Sequence, residues 1–274
     1  MSEEIKSKIM NEIMNHGFPL ELEIASTFSR HSWHVEHNSY YIDMDEQKGR
    51  EIDLVARMHR SFTDPVSHNS LEVQLSLVAE IKQANAKPWV IFTSPVTKFE
   101  SLIGRQVHRN YVGFSVPYHQ ISRALKQAGH KNTLPRLGRT FYEALSKGRD
   151  DIFKALTGTT KAVRHIMESS GITDSEGSGD RLLYYYESVV ILKGQLFECF
   201  LNEQGEPTLQ EATHVQVAFN YLSPHYESTY GNVVDIVSAE HLPEFINAKQ
   251  ESLNKVFNTL RSVEPLNLSV SEQG

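Results

Sequence analysis

Three residues in this chain have the types and spacing for phosphoryl chemistry. Asp53 lies in R-E-I-D-L-V-A-R-M, and Glu80 and Lys82 end the apolar run L-E-V-Q-L-S-L-V-A-E-I-K. Residues i and i+2 of a strand share a face, so Glu80 and Lys82 project together. If the two segments form an antiparallel hairpin, Asp53 near the start of one arm meets Glu80 near the end of the other. Two carboxylates a few ångströms apart repel, and one pKa rises unless a cation sits between them. A hard divalent cation with oxygen ligands resolves this. Mg²⁺ takes one or two carboxylates, keeps several waters and accepts a phosphate oxygen. It also makes a bound water more acidic and more nucleophilic. Lys82 would then orient or deprotonate that water, or neutralise charge on the phosphorus. Glu21, in the first turn of a neighbouring helix, would supply a third carboxylate through water.

The elements that must position these groups are legible from periodicity. Ser2 followed by Glu3 and Glu4 reads as a helix start, and Ile5, Ile9 and Ile13 recur at helical spacing up to Gly17. A second helix starts at Pro19 and runs to about Arg30, with Leu20, Ile24, Thr27 and Phe28 along one side. Strands are expected over residues 33–44, 50–58 and 71–82, with a short apolar strand at 89–92. Residues 119–169 read as helical. Residues 173–180 read as an acidic loop. Strands are expected again at 182–201, 213–222 and 231–237, then an amphipathic helix over 242–261. The order predicts an α/β (α+β mixed) fold with a central mixed sheet flanked by helices. The expected organisation is a core over 1–120, a basic helical region over 121–172, and C-terminal strands and a helix over 173–274 that complete or extend the sheet.

Composition narrows the classes. The chain has 274 residues and a net charge of −7. The charge is segregated: net −5 over residues 1–100, +8 over 101–170 and −10 over 171–274. The basic block is a candidate phosphate-facing surface, with Arg105, Arg109, Arg123, Arg136 and Arg139 as candidate nucleic-acid contacts. The single cysteine, Cys199, excludes an intramolecular disulfide and a cysteine-based zinc cluster, and its apolar surroundings predict a packed thiol. No apolar run is long enough to span a membrane, and the polar N-terminal stretch lacks a signal-peptide core; a cytoplasmic location is expected. His31, His34 and His37 do not fall on one strand face, and Tyr184 to Tyr186 read as core packing. No nucleotide-binding glycine motif occurs.

The segments G-R-E-I-D-L-V-A, V-A-E-I-K and P-W-V-I-F resemble the PD-(D/E)XK nuclease superfamily, the restriction-endonuclease-like fold. That family's core is a Glu-bearing helix, a hairpin bearing Asp and Glu-x-Lys, a helix and a further strand. The helix P-L-E-L-E-I-A-S-T-F-S-R-H-S-W looks similar to the family's first helix, with Glu21 the best-aligned acid and Glu23 the fallback. The resemblance covers roughly residues 19–95. It implies Asp53 and Glu80 as metal ligands with the Ile81 backbone carbonyl, Glu21 as a ligand through water, and Lys82 as the catalytic lysine. It implies Mg²⁺ or Mn²⁺ as cofactor and a nucleic acid, DNA first, as substrate. Cleavage of two strands would suit a homodimer. Ile52 replaces the family's proline before the aspartate. The stretch Q-A-N-A-K-P leaves no room for a helix before Trp89, so the crossover helix must follow Trp89–Phe92 or come from the central block. A catalytically inactive nuclease-like module that binds nucleic acid or protein is the alternative expectation.

Overall fold

The computed structural model describes residues 3–15, 17–98, 100, 108–114, 121, 134–145, 151–170, 179–226 and 232–263. Ser2, Arg105, Arg123, most of the acidic loop at 173–180 and the tail after 263 lie outside them. Among the described residues are four α-helices and nine strands joined in one mixed sheet. The helices are α1 (Glu3–Asn15), α2 (Phe18–Arg30), α3 (Asp151–Ser169) and α4 (Leu242–Val263). The strands are β1 (His34–Asp43), β2 (Lys48–Thr63), β3 (Ser70–Pro95), β4 (His108–Val112), β5 (Arg136–Glu143), β6 (Arg181–Leu201), β7 (Pro207–Glu211), β8 (His214–Ala218) and β9 (Val233–Ser238). No helix among the described residues is long and apolar enough to cross a membrane.

β3 is the axis of the fold. Its alternating residues Leu71, Val73, Leu75, Leu77, Ala79 and Ile81 are buried against α2 and α4, as a period of two dictates for a strand with one face on a core. α2 contributes Leu20, Ile24, Ala25 and Phe28 to that layer, and the Phe28 ring meets Trp33 edge-on at 5.7 Å. The opposite face of β3 packs under α3, where Val78 joins Ala162 and Val163. β3 pairs antiparallel with β2 on one side and parallel with β6 on the other, over Leu71–Ala84 against Arg181–Gly194. A parallel neighbour needs a long crossover, and α3 lies in it. The order α2, β1–β2–β3, α3, β6 therefore lays four strands side by side as β1-β2-β3-β6.

Two expectations are corrected here. Trp89–Phe92 is not a separate strand, because β3 runs unbroken from Ser70 to Pro95. Between Ala84 and Trp89 its pairing with β6 advances five residues against two, so the polar Q-A-N-A-K stretch is a bulge, not a turn. The block read as helical contains strand β5, whose R-L-G-R-T-F-Y-E is held antiparallel to the second half of β3. Tertiary pairing overrode a weak local signal there.

The added strands close on themselves. β3 pairs β5, β5 pairs β8, β8 pairs β9, β9 pairs β6, and β6 returns to β3. Closure rests on the pair Gly138↔Val217. A Cβ at Gly138 would lie 2.6 Å from Ile91 Cγ2 and 3.1 Å from Val217 Cγ2. Both methyls belong to buried side chains that cannot swing away. Gly138→Ala should therefore destabilise by about 1–3 kcal/mol through overpacking, read as a lower urea midpoint at unchanged slope.

Candidate active site

The β2–β3 ladder runs from Thr63↔Ser70 to Leu54↔Ala79 and stops. At the next step the Asp53 side chain takes over: its Oδ2 accepts the Ile81 backbone N–H at 2.6 Å. A short carboxylate competes well for a backbone donor, so the strands part where Asp53 stands. The β1–β2 ladder also skips Asp53, and Asn38 across from it has φ +51°. The aspartate thus sits at a fork in the sheet.

Glu80 and Lys82 lie on the α3 side of β3 at this fork. Lys82 Nζ donates to Glu80 Oε2 and stands 4.0 Å from Asp53 Oδ2. The Glu80 side chain is 12% exposed, Asp53 24% and Lys82 30%. Burial pushes the Glu80 carboxyl up to about 7, Asp53 and Glu21 push the same way, and Lys82 opposes them. Burial disfavours the Lys82 ammonium, but Glu80, Asp53 and Asp151 together hold its pKa above the ordinary lysine value. The geometry thus brings Asp53, Glu80 and Lys82 together, with the Ile81 carbonyl on the strand between the last two.

Glu21 is the acid of α2 that shares this field. Burial raises its pKa first, and the Asp53 and Glu51 charges add to it, while Lys82 lowers it. Glu23 is exposed and lies 3.6 Å from Lys193. Asp151 was missed by sequence reading. It opens α3, and its charge acts on Lys82. The signal in the sequence is an acid at a helix start, D-D-I-F, but its tie to the fork exists only because α3 is the crossover.

α3 also covers Glu80. A Cβ at Gly158 would lie 2.9 Å from Glu80 Oε1. Gly158→Ala should leave the fold intact, shift the Glu80 carboxylate, and weaken Mn²⁺ binding about tenfold or more, as loss of a supporting contact does. Calorimetric titration with Mn²⁺ alone, beside a circular-dichroism melt, checks both parts.

Among the described residues no three His, Cys, Asp or Glu side chains are grouped so as to hold a metal ion. The facing pair Asp53 and Glu80 is instead bridged by the Lys82 ammonium. That donor set fits Mg²⁺ or Mn²⁺, which need few protein carboxylates and retain water. No His or Cys side chain, the commonest zinc ligands, is part of the set. His31 bonds the Thr27 carbonyl through Nδ1, apart from His34 and His37 in β1.

Three of the candidate arginines, Arg109, Arg136 and Arg139, fall among the described residues. Arg136 makes two 2.7 Å bonds to Glu198 and lies 3.9 Å from the Phe200 ring centre. Arg139 pairs with Glu100 and Ser94. Arg109 lies in β4, 5.9 Å from the Tyr111 ring centre. Tyr185 and Tyr186 are buried, and Tyr184 donates to Glu72 at 2.8 Å.

No family model, curated protein or solved structure matches this chain. The functional reading therefore rests on the fork itself.

Proposed function

We propose that this chain is a metal-dependent nuclease that hydrolyses phosphodiester bonds of DNA. The observation that carries the reading is the fork, where Asp53 faces Glu80 and Lys82 at the end of the β2–β3 ladder. The order α2, β1–β2–β3, α3, β6 supports it, since it repeats the helix, hairpin, helix and strand of the restriction-endonuclease-like core. Asp53, Glu80 and the Ile81 carbonyl would hold Mg²⁺ or Mn²⁺, with Glu21 reaching it through water. When bound, the metal supplies Lewis acidity at the phosphate and acidifies a water. Asp53 and Glu80 supply the negative charge that retains it. Lys82, held as an ammonium by the acids around it, donates hydrogen bonds and offsets charge building on the phosphate oxygens. α3 excludes water from the buried side of Glu80.

The second reading, a nuclease-like module that binds without cutting, is favoured by one observation. Arg136 and Arg139 are both engaged by acids, which leaves less of the basic block for phosphates. Incubation with supercoiled plasmid, single-stranded DNA and RNA in Mg²⁺ or Mn²⁺ separates the two. Chelator-sensitive cleavage of DNA is the expected result. Nucleic-acid binding with no cleavage in either metal would favour the module.

A further inference from the structure

We propose that α1 is an interaction surface for a second copy of this chain, which it meets as an antiparallel pair of helices. The surface lies outside the fork and does not depend on the nuclease reading.

α1 is an amphipathic helix that adds nothing to the core. None of its residues joins the buried clusters that α2, α3 and α4 build against the sheet, and residues 3–13 are all exposed. Its sequence is nevertheless that of a helix with an apolar row. Ile5, Ile9 and Ile13 follow every fourth residue, with Met10 beside them. These four side chains are between 42 and 56% exposed. A helix of 13 residues is marginal in water by itself, and packing of an apolar face is what holds most helices in proteins. The row therefore needs a cover.

The row is its own complement. Ile5 and Ile13 stand equally far from Ile9. A twofold axis beside Ile9 thus sets Ile9 against Ile9 of the second copy, and Ile5 against Ile13. The charges select the direction. At about 100° per residue, Lys8 and Glu12 fall on one flank of the isoleucine row and Lys6 on the other. An antiparallel pair sets like flank against like flank, so Glu12 of each copy stands near Lys8 of the other. A parallel pair sets Lys6 nearest to Lys8 and repels. Within one helix, Lys6 meets Glu3 at 2.9 Å and Lys8 meets Glu4 at 2.8 Å. These pairs are exposed, so they hold the lysines weakly and leave Lys8 able to turn to Glu12 across the axis. A membrane is a poorer cover, because α1 carries Glu3, Glu4 and Glu12 against Lys6 and Lys8, not the basic polar face of a membrane-surface helix. Two helices of this length bury less than about 1,200 Å² between them, so the dimer should dissociate in roughly the micromolar range.

Sedimentation velocity of the full chain from about 1 to about 200 μM at low salt, beside a circular-dichroism melt of dilute protein, tests the surface. Wild type should pass reversibly from monomer to dimer over that range. Ile9→Asp should keep the melting temperature, because the position is exposed, and weaken association by more than about tenfold, as loss of a central contact does. Lys8→Glu and Glu12→Lys should each associate more weakly than wild type. An equimolar mixture of these two variants should recover dimer, because every Glu–Lys contact between copies is then restored. No contact within a single helix produces that recovery. Wild type that stays monomeric throughout, association unchanged in Ile9→Asp, or a mixture no better than its two components overturns the surface.

Discussion

Asp53→Asn abolishes Mn²⁺ binding and lowers DNA cleavage by about 10³-fold or more, with the fold retained. The magnitude follows from removing a charge that holds the Lewis acid, a loss at least as large as that of one transition-state donor. The substitution is a clean one at this position. Asn Oδ1 still accepts the Ile81 N–H that Asp53 Oδ2 takes at 2.6 Å, so the fork keeps its hydrogen bond and loses its charge. Lys82→Ala has a different signature. Cleavage falls by a similar order, but Mn²⁺ binding persists, because the ammonium that occupies Glu80 Oε2 is gone. Without metal, Lys82→Ala leaves Glu80 buried beside Asp53 with no cation, so its melting temperature drops, and added Mn²⁺ restores it. Calorimetry and a thermal-shift series with and without Mn²⁺ read both variants. Wild-type Mn²⁺ affinity in Asp53→Asn would sink the site.

The largest expected effect on stability lies elsewhere. Lys161→Ala should cost about 3–5 kcal/mol, the cost of leaving buried acids without their cation. Lys161 Nζ lies 2.8 and 2.9 Å from the two Asp43 oxygens and 2.8 Å from Asp45 Oδ2. The Tyr221 and Tyr226 rings flank it at 4.7 and 5.1 Å. The lysine and Asp43 are almost fully buried. This cage ties the β1–β2 turn to α3 and to the segment at 221–226. Lys161 is one helical turn beyond Gly158 on α3, so the cage also sets how α3 rests on Glu80. Burial acts against the Asp45 charge, but bonds from Lys161, Ser223 and Tyr221 outweigh it and hold the carboxyl down at about 2, from an ordinary 3.8. A carboxyl depressed on folding adds stability above its unfolded value and loses it as pH falls through the folded one. Wild type should therefore lose urea resistance between pH 4 and 2, and Asp45→Asn should lose less over the same window. Equal slopes in the two proteins would refute the role of Asp45.

What the sequence by itself determined is the local half of this protein. The alternation from Leu71 to Ile81 specified a strand whose odd-numbered residues are buried together, and the i, i+4, i+8 series Leu20, Ile24, Phe28 specified the buried side of α2. Glu80 and Lys82 had to share a face because a strand repeats every two residues, and a hairpin with Asp53 followed from the spacing of two apolar arms. None of these needed knowledge of distant chain. Tertiary structure alone decided the rest. β5 became a strand because the second half of β3 offers it a partner, and Q-A-N-A-K stayed extended because β6 runs beside it with a bulge to absorb the excess. Asp151 and Gly158 reached the fork only because α3 is the crossover of a parallel pair. Lys161 found Asp43 118 residues away, and Arg136 found Glu198 62 residues away. Local propensity is settled within a turn or a strand, whereas ion pairs, ring closure and clefts depend on which distant elements pack together. No period or motif encodes that directly.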